Sequence, residues 1–401
     1  MSQEQLSRTP RRLRYVIAAA ACAAIAWVSQ ATAAPIYTVT PLVTDDQDAL
    51  AANGFGPAAT VDPNLINPWG ISLGADTPFW VSNQGTNTST LYDGEGTAFP
   101  PPPDGPLVVN IPHAGPPAGP TGQVFAAGSG LNLPNGNPGI FYFANLDGSI
   151  SGWNPDTGTN AVVVVSPTGD APAVYTGLAL GNVGADTFLY AANNLTGAVD
   201  VFDSSYAPHS FGDDAFAAGD NPDGLAPFNV QNINGLIYVT YAIPGPESDE
   251  APLGSGFVNV FNPDGSFVMR IDSDQFASPW GMALAPDDFG EFSNALLIGN
   301  FNDALGYINA FDPTTGEFLG TMLVNETDPL IIPYLWGLVF GNGVLSDDDD
   351  LYFAAGIGDE EHGLFGEIGA GEEAVPEPTM AGLMLIALAG GLVRRRRKMM
   401  S

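Results

Sequence analysis

The sequence predicts an all-β protein, a six-bladed β-propeller with four-stranded antiparallel blades. A three-part sequence repeat occurs six times between residues 69 and 368. Its parts are a short segment centred on a Gly, a short run of strand formers, and an alternating strand that ends in a turn. The chain also contains 49 Gly and 35 Pro, which suits many tight turns rather than helices. Repeats of this kind, rich in strand formers and turn residues, build radial arrays of small antiparallel sheets.

The first part of each repeat fits the innermost strand of a blade, which lines the central channel. A Gly at its centre would let neighbouring backbones approach closely near the axis. In the fourth repeat this position is Asn229 rather than Gly. The six first parts are residues 69–71, 121–123, 176–178, 228–230, 280–282 and 336–338.

The second and third parts fit the next two strands outward. The second parts are rich in aromatic and aliphatic residues, as expected for a strand whose two faces meet neighbouring blades; they are residues 79–83, 141–145, 189–193, 237–241, 296–300 and 351–355. The third parts alternate polar and apolar residues, as residues 198–202 do. Turns such as 262–265 then lead into a fourth strand.

The last blade lacks a fourth strand in the sequence. The sixth repeat ends soon after Ile368, whereas residues 36–40 form a strand with no blade of its own. We expect this N-terminal strand to close the last blade, so that no long edge stays unpaired. Closure would be non-covalent, because the only cysteine, Cys22, precedes the body. Segments 95–119, 205–227, 242–256 and 325–334 are predicted loops.

Charge is distributed very unevenly along the chain. The formal charge is −34, and residues 34–374 hold 42 of the 44 acidic residues but one of the ten basic residues, Arg270. Such a body repels nucleic acid and anionic lipid, because phosphate binding needs clustered Lys or Arg. The acidity fits either a solubilising surface or a set of Asp side chains that hold Ca²⁺. Both interpretations stay open.

The two ends of the chain are predicted to be targeting segments. Residues 1–33 fit a signal peptide, with an Arg-rich start, an apolar run over 16–28 and a small-x-small cleavage site at Ala31 and Ala33. Residues 375–401 contain Pro376-Glu377-Pro378, then an apolar run over 380–393, then a basic cluster that starts with Arg394 and Arg395. An apolar run of 14 residues is short for a stable span of about 20, and the basic cluster would be held on the cytoplasmic side. An ordinary tail anchor would look similar apart from the Pro-Glu-Pro motif.

The order of these C-terminal parts resembles the PEP-CTERM sorting signal, which the exosortase system of Gram-negative bacteria recognises. This resemblance implies an exosortase-type partner, export across the inner membrane, transient anchoring by the C-terminal helix, and a final place at the cell surface or in an exopolysaccharide matrix. The propeller body, residues 34–374, resembles a family of exported PEP-CTERM propellers with NHL-like blades through motifs such as 62–74, 226–242 and 296–320. That resemblance implies the fold and the export route but no substrate.

A metal-dependent enzyme would need carboxylates, Asn and often His that converge at the channel mouth. Of the three His residues, His113 and His209 fall outside the predicted inner strands. His362 is the best candidate because acidic residues adjoin it. The candidate metal ligands, with Ca²⁺ as the candidate ion, are Asp359, Glu360, His362, Asp347 and Asp349; solvated or structural turns are the competing interpretation. No catalytic residue is identified, and the sequence favours a non-enzymatic protein over a metal-dependent hydrolase or lyase.

A binding surface is the better hypothesis for a site. Six residues share one position at the start of the inner strands and should form a ring near one mouth of the channel: Trp69, Thr121, Thr176, Phe228, Trp280 and Trp336. Asn67 and Asn232 are predicted to lie near the same rim. Exposed tryptophans among carboxylates and amides suit a carbohydrate ligand, whereas rings packed between blades would be core. The sequence therefore predicts an exported binding or scaffold protein whose ligand is a polysaccharide, a matrix protein or a divalent cation.

Overall fold

The protein forms six small antiparallel sheets arranged as the blades of a propeller. The computed structural model describes residues 37–371 except for 102, 104, 168–171, 222 and 246–247. The chain begins with β1 (Tyr37–Thr44), α1 (Gln47–Ala52) and β2 (Thr60–Val61). The predicted fold class, an all-β six-bladed propeller, is confirmed. The predicted signal peptide and sorting signal lie outside the described residues.

Each blade follows the chain from the inner strand to the outer strand. Blade 1 contains β3 (Pro68–Ser72), β4 (Phe79–Asn83), β5 (Thr88–Tyr92) and β6 (Val108–Asn110), and blade 2 contains β7 (Pro120–Phe125), β8 (Phe141–Asn145), β9 (Ile150–Trp153) and β10 (Val162–Val165). Blade 3 contains β11 (Tyr175–Val183), β12 (Asp186–Asn193), β13 (Ala198–Phe202) and β14 (Pro208–His209), and blade 4 contains β15 (Ala226–Ile233), β16 (Leu236–Ala242), β17 (Phe257–Phe261) and β18 (Phe267–Asp272). Blade 5 contains β19 (Pro279–Leu284), β20 (Leu296–Asn300), β21 (Ile308–Phe311) and β22 (Phe318–Thr321). Blade 6 contains β23 (Leu335–Phe340), β24 (Leu351–Ala355) and β25 (Leu364–Ala370), followed by β1.

The N-terminal strand closes the ring, as the sequence predicts. Strand β1 pairs antiparallel with β25, from Tyr37 opposite Ala370 to Thr44 opposite Leu364. Strand β2 adds a short parallel pairing to β1, so the last blade has five strands rather than the expected four. The extra strand exists because the chain folds back along β1 after helix α1, which Asp46 caps by accepting from the backbone N–H groups of Asp48 and Ala49.

Besides β2, three elements lie where the sequence predicts none or a loop. Helix α1 buries only Leu50, so its apolar pattern is too short to read from sequence. Strands β6 and β14 fall inside the segments 95–119 and 205–227, which the sequence predicts as loops. Both are short outer strands with a Pro within or close to them, and β14 has only two residues. Pairing with the third strand of the blade, rather than local propensity, creates them.

Every inner strand carries a bulge at the repeated Gly step, where its register with the second strand shifts; the shifts fall at residues 68/71, 120/123, 175/177, 227/229, 279/282 and 335/338. A Cβ on Gly70 would lie 2.5 Å from the carbonyl oxygen of Thr121, and one on Gly337 would lie 2.7 Å from that of Trp69. The expectation that Gly permits close approach near the axis is therefore confirmed. Asn229, the exception, instead donates from Nδ2 to the carbonyl oxygen of Trp280 at 2.8 Å.

The hydrophobic cores lie between adjacent blades. Six clusters of buried residues fill the six gaps, and a seventh lies where the inner strands begin. The second strands are buried on both faces, as expected from their composition. Among the described residues, no helix has the length and apolar character needed to cross a membrane.

Candidate functional site

Aromatic side chains meet on the propeller axis at one mouth of the channel. We call this cluster the aromatic plug; its rings are those of Trp69, Phe228, Trp280, Phe301, Tyr334 and Trp336. The indole of Trp336 lies between Trp69, at a centroid distance of 3.5 Å, and Phe301, at 3.7 Å, and is nearly parallel to both. Trp280 meets Trp336 edge-on at 5.5 Å.

The burial of the plug rules out exposed tryptophan faces and supports the alternative interpretation, that these rings are core. Trp69, Trp280 and Trp336 are 7%, 3% and 1% exposed, and Phe228 is 4% exposed. Six equivalent positions around a narrow axis bring the rings within contact of one another, and mutual burial removes their apolar faces from water. Because both faces of Trp336 are covered, a sugar cannot stack on that ring.

Blades 2 and 3 leave room for the large rings by placing threonines at the equivalent position. The Thr121 hydroxyl donates to the carbonyl oxygen of Tyr175 at 2.8 Å, and the Trp280 indole N–H donates to the carbonyl oxygen of Thr176 at 3.1 Å. Six large side chains could not share this space at the packing density of a protein interior. The repeat is therefore asymmetric at the mouth.

A cavity of about 310 Å³ lies directly against the plug, and we call it the mouth cavity. Its apolar lining includes Trp69, Phe228, Phe301 and Trp336; its polar lining includes Thr176, Asn194, Ser248, Asp249 and Glu360. The structure thus brings four of the six equivalent positions, at 69, 176, 228 and 336, to a single cavity. A few polar groups above an apolar floor are typical of a small-ligand site.

Asn67 holds Glu360 at the edge of this cavity. Its side-chain oxygen accepts from the Trp336 indole N–H at 3.1 Å, and its Nδ2 donates to Gln84 Oε1 and to Glu360 Oε1, both at 2.9 Å. Both the oxygen and the nitrogen of the Asn67 amide therefore have hydrogen-bond partners within the protein. The residue positions Glu360 rather than contacting a ligand directly, which refines its predicted role.

Several residues around the mouth adopt left-handed backbone conformations that favour glycine. Asn67, Ser278 and Tyr334, each two residues before a plug tryptophan, have φ values of 46°, 56° and 54°. Asp359 and Glu360 are also left-handed, with φ values of 59° and 62°. Such conformations are uncommon for residues with a Cβ and persist only when surrounding contacts enforce them.

The mouth cavity is negatively charged and lacks a compensating cation. Burial raises the pKa of Glu360, the hydrogen bond from Asn67 opposes that shift, and the nearby carboxylate of Asp249 adds to it. Arg270, the only basic residue between positions 34 and 374, lies on outer strand β18 with its guanidinium 3.9 Å from the Phe257 ring centroid. The cavity therefore favours cations and hydrogen-bond donors and disfavours anions.

Asn232 does not lie at this mouth, contrary to the prediction. It is four residues beyond Phe228 along β15, and a strand advances about 3.3 Å per residue, so it lies roughly 13 Å farther along the channel. There it lines the channel interior, donates to the carbonyl oxygen of Leu180 at 2.8 Å and accepts from the N–H of Gly235 at 2.9 Å.

The candidate ligands Asp359, Glu360 and His362 do not converge on one point. His362 pairs through Nδ1 with Asp45 Oδ2 at 2.8 Å, while Asp359 accepts from the Tyr334 hydroxyl at 2.8 Å. Glu360 instead bonds Asn67. The left-handed turn at 359 and 360 directs the three side chains to different partners, which corrects their grouping as one metal site. His362 and Asp45 link blade 6 to its closing strand.

Asp347 and Asp349 belong to a separate, exposed cluster. Asp347, Asp348 and Asp349 can each place a carboxylate oxygen within 4.8 Å of the others. Beside them a crevice of about 690 Å³, which we call the acidic crevice, is lined by acidic residues that include Asp93, Glu95, Asp347, Asp348, Asp350 and Glu367. Partial burial and neighbouring carboxylates raise the pKa values of Asp350 and Glu367. The assignment of Asp347 and Asp349 to Ca²⁺ stays a prediction from sequence.

Sequence reasoning missed several residues that line the mouth cavity. Phe301 and Asn194 directly follow the second strands of blades 5 and 3, and Asp249 lies in the acidic loop after β16. The sequence feature that could have identified these residues is their shared position after second strands. The Asn residues that end two second strands hold the turns that follow: Asn83 donates to the Thr88 hydroxyl at 3.1 Å, and Asn145 donates to the Ser149 hydroxyl at 3.2 Å.

Comparison with known proteins identifies relatives that match most of the chain. No family model matches the chain. An uncharacterised protein of Acanthamoeba polyphaga mimivirus is 32% identical over 333 residues, which cover 80% of this chain and 78% of the relative. A second uncharacterised protein of the same virus is 32% identical over 327 residues, which cover 78% of this chain and 82% of the relative.

Solved structures of low sequence identity are also similar to this chain. A streptogramin B lyase is 12% identical with a TM-score of 0.47, over 84% of this chain and 98% of the lyase. A protein of unknown function from Bacteroides thetaiotaomicron is 11% identical with a TM-score of 0.49, over 84% of this chain and 77% of that protein. Neither likeness carries an argument about activity.

Proposed function

We propose that this chain, which belongs to the same family as the two uncharacterised mimivirus proteins, is an exported, non-enzymatic binding protein that holds a polysaccharide at the mouth cavity. The observation that carries the proposal is the cavity itself: an apolar floor made by the aromatic plug, with hydroxyl, amide and carboxylate groups around it. Sugars present apolar faces and hydroxyl groups together, and such a lining complements both.

The export route rests on the terminal segments of the sequence. The signal peptide over 1–33 and the Pro376-Glu377-Pro378 signal would carry the propeller through the inner membrane and past an exosortase-type enzyme to the surface or matrix. A body with one basic residue between positions 34 and 374 would be repelled by anionic polysaccharides. The polysaccharide that we propose is therefore neutral or cationic.

The test is affinity electrophoresis of the full chain in gels that contain dextran, laminarin, chitosan or alginate, with calorimetry on matched oligosaccharides. Val174, on the rim of the mouth cavity, is replaced by Trp to fill the cavity. Val163, on the outer strand of blade 2, receives the same substitution as a control because it is 38% exposed and distant from the axis.

We expect retardation by a neutral or cationic polysaccharide, none by alginate, and at least a roughly tenfold loss of affinity in Val174→Trp. Val163→Trp should bind like the parent. Absence of retardation by every polysaccharide, or equal binding by Val174→Trp, would reject the proposal.

A further inference from the structure

The mouth cavity contains two carboxylates that no cation of the body neutralises. Asp249 and Glu360 line the cavity, and the sequence between 34 and 374 supplies no Lys and only the distant Arg270. These carboxylates, above an aromatic floor, call for a bound partner that brings positive charge and hydrogen-bond donors.

We infer that the mouth cavity takes a sugar that carries a protonated amine, with the ammonium beside Glu360 and Asp249; this inference rests on the proposed function. An ammonium offers three hydrogen-bond donors and a positive charge to two carboxylates. The hydroxyl groups of the same sugar can both accept and donate, so they complement the polar lining of Thr176, Asn194 and Ser248. A simple alkyl amine would satisfy the carboxylates but not the hydroxyl and amide groups of this lining.

Glu360 is held ready for this contact. Its Oε1 accepts from Asn67 Nδ2, and Asn67 is itself fixed by Trp336 and Gln84, so the carboxylate keeps its place when the cavity is empty. Preorganised groups of this kind reduce the entropy cost of binding. Glu360 still has a second oxygen with no hydrogen-bond donor among the residues that the structure describes.

The geometry favours an ammonium over a divalent metal ion. Ca²⁺ needs six to eight oxygen ligands at short range. Within the described ranges, only Asp347, Asp348 and Asp349 form a set of three acidic or His side chains with ligand atoms mutually within 4.8 Å, and that set is outside the mouth cavity. Two carboxylates above an aromatic floor are sufficient for an ammonium, which aromatic rings also attract.

The experiment compares two tetrasaccharides that differ in one group per sugar. Calorimetry of the full chain at about pH 6, where a sugar amine is protonated, measures binding of the glucosamine tetramer and of the N-acetylglucosamine tetramer. The variant Glu360→Gln removes one charge but keeps an oxygen that accepts from Asn67. The control Glu361→Gln removes the same charge from the next residue, which is exposed and does not line the cavity.

We expect the parent protein and Glu361→Gln to bind the glucosamine tetramer at least about tenfold more tightly than the N-acetylated tetramer, and added NaCl to weaken only the former. Glu360→Gln should lose most of this preference with an unchanged melting temperature. If Glu360→Gln unfolds, the salt dependence of the parent still decides the question.

The outcomes separate the two proposals. Equal, salt-independent binding of both tetramers would overturn the amine inference and leave polysaccharide binding intact. Binding of neither tetramer, together with retardation by dextran or laminarin, would also overturn the amine inference alone. No binding to any saccharide would overturn both. An unchanged preference in Glu360→Gln would place the amine elsewhere and reject the assignment.

Discussion

Single side chains at the channel mouth decide which groups face the cavity. Asn67 takes a left-handed conformation and uses all of its amide hydrogen-bonding groups on Trp336, Gln84 and Glu360. Asn tolerates this conformation better than most residues, and its amide both donates and accepts. One residue therefore joins the aromatic plug to the carboxylate of the proposed site.

Replacing Asn67 should show how much that network contributes. Asn67→Ala leaves the Trp336 indole N–H without its acceptor. It also removes the amide hydrogen bonds that hold this residue in its left-handed conformation, at φ 46°. We expect the free energy of unfolding to fall by about 2–4 kcal/mol. The control is Asn234→Ala, an exposed left-handed position at φ 52°, which should cost only about 1 kcal/mol in urea unfolding. Equal losses in the two variants would contradict the network.

The acidic crevice should make stability fall as pH rises. Burial and neighbouring carboxylates raise the pKa of Glu367 in the folded protein, so the folded state binds its proton more tightly than the unfolded state does. This stabilisation is complete below the unfolded pKa and is lost as pH rises through the raised folded pKa. We expect Glu367→Gln to flatten the decline in melting temperature between about pH 4.5 and pH 7.

Asp312 provides a control of opposite sign. Hydrogen bonds from the backbone of Thr315 and Thr314 lower its pKa, so its contribution appears as pH rises and is lost as pH falls through the lowered value. Asp312→Asn should therefore lower the melting temperature by a nearly constant amount above about pH 5, and by less as pH falls through the lowered pKa. A steeper decline in Glu367→Gln would show that the crevice carboxylates do not repel one another.

At the scale of the elements, the bulged inner strands set the diameter of the ring. In each inner strand the β-bulge brings the backbone close to the next blade, and the plug residue lies within the bulge. The bulge turns that side chain toward the axis and the Gly admits the neighbouring carbonyl group. Sequence alone identified the repeat and its Gly, but it could not show that the bulge brings the rings together.

Gly337 offers a direct test of this close approach. A Cβ there would lie 2.7 Å from the carbonyl oxygen of Trp69, so Gly337→Ala must push blades 6 and 1 apart. We expect a loss of about 1–3 kcal/mol in unfolding free energy. Gly56→Ala, where a Cβ would have no neighbour within 4 Å, should change stability by less than about 0.5 kcal/mol. A neutral Gly337→Ala would show that the blades tolerate separation at the axis.

At the scale of the whole molecule, net charge is the dominant electrostatic feature. Carboxylates across the body repel one another, and salt screens that repulsion over a Debye length of about 10 Å at 0.1 M. We therefore expect the melting temperature of the full chain to rise with NaCl concentration. A melting temperature that is independent of salt would contradict a destabilising net charge.

If the Asp-rich turn binds Ca²⁺, calcium should stabilise the protein more than ionic screening alone does. At equal ionic strength, CaCl₂ should raise the melting temperature more than NaCl does, and Asp348→Asn should remove the difference, because it takes one carboxylate from the exposed cluster. The control Asp156→Asn changes the same charge on another blade. An equal response to both salts would leave the acidity as a surface property.

The sequence by itself determined the number of blades, the order of their strands and the closing role of the N-terminal strand. These follow from local patterns, namely a repeated Gly step, strand formers and turn residues, which each segment carries within itself. The tertiary structure alone decided what the equivalent residues do once six blades meet. The tryptophans form a buried plug because they converge on one axis. Asn232 lies in the channel interior because the extended strand β15 places it there. Glu360, Asp249 and Asn67 come from three distant segments, so only ring closure could place them around one cavity.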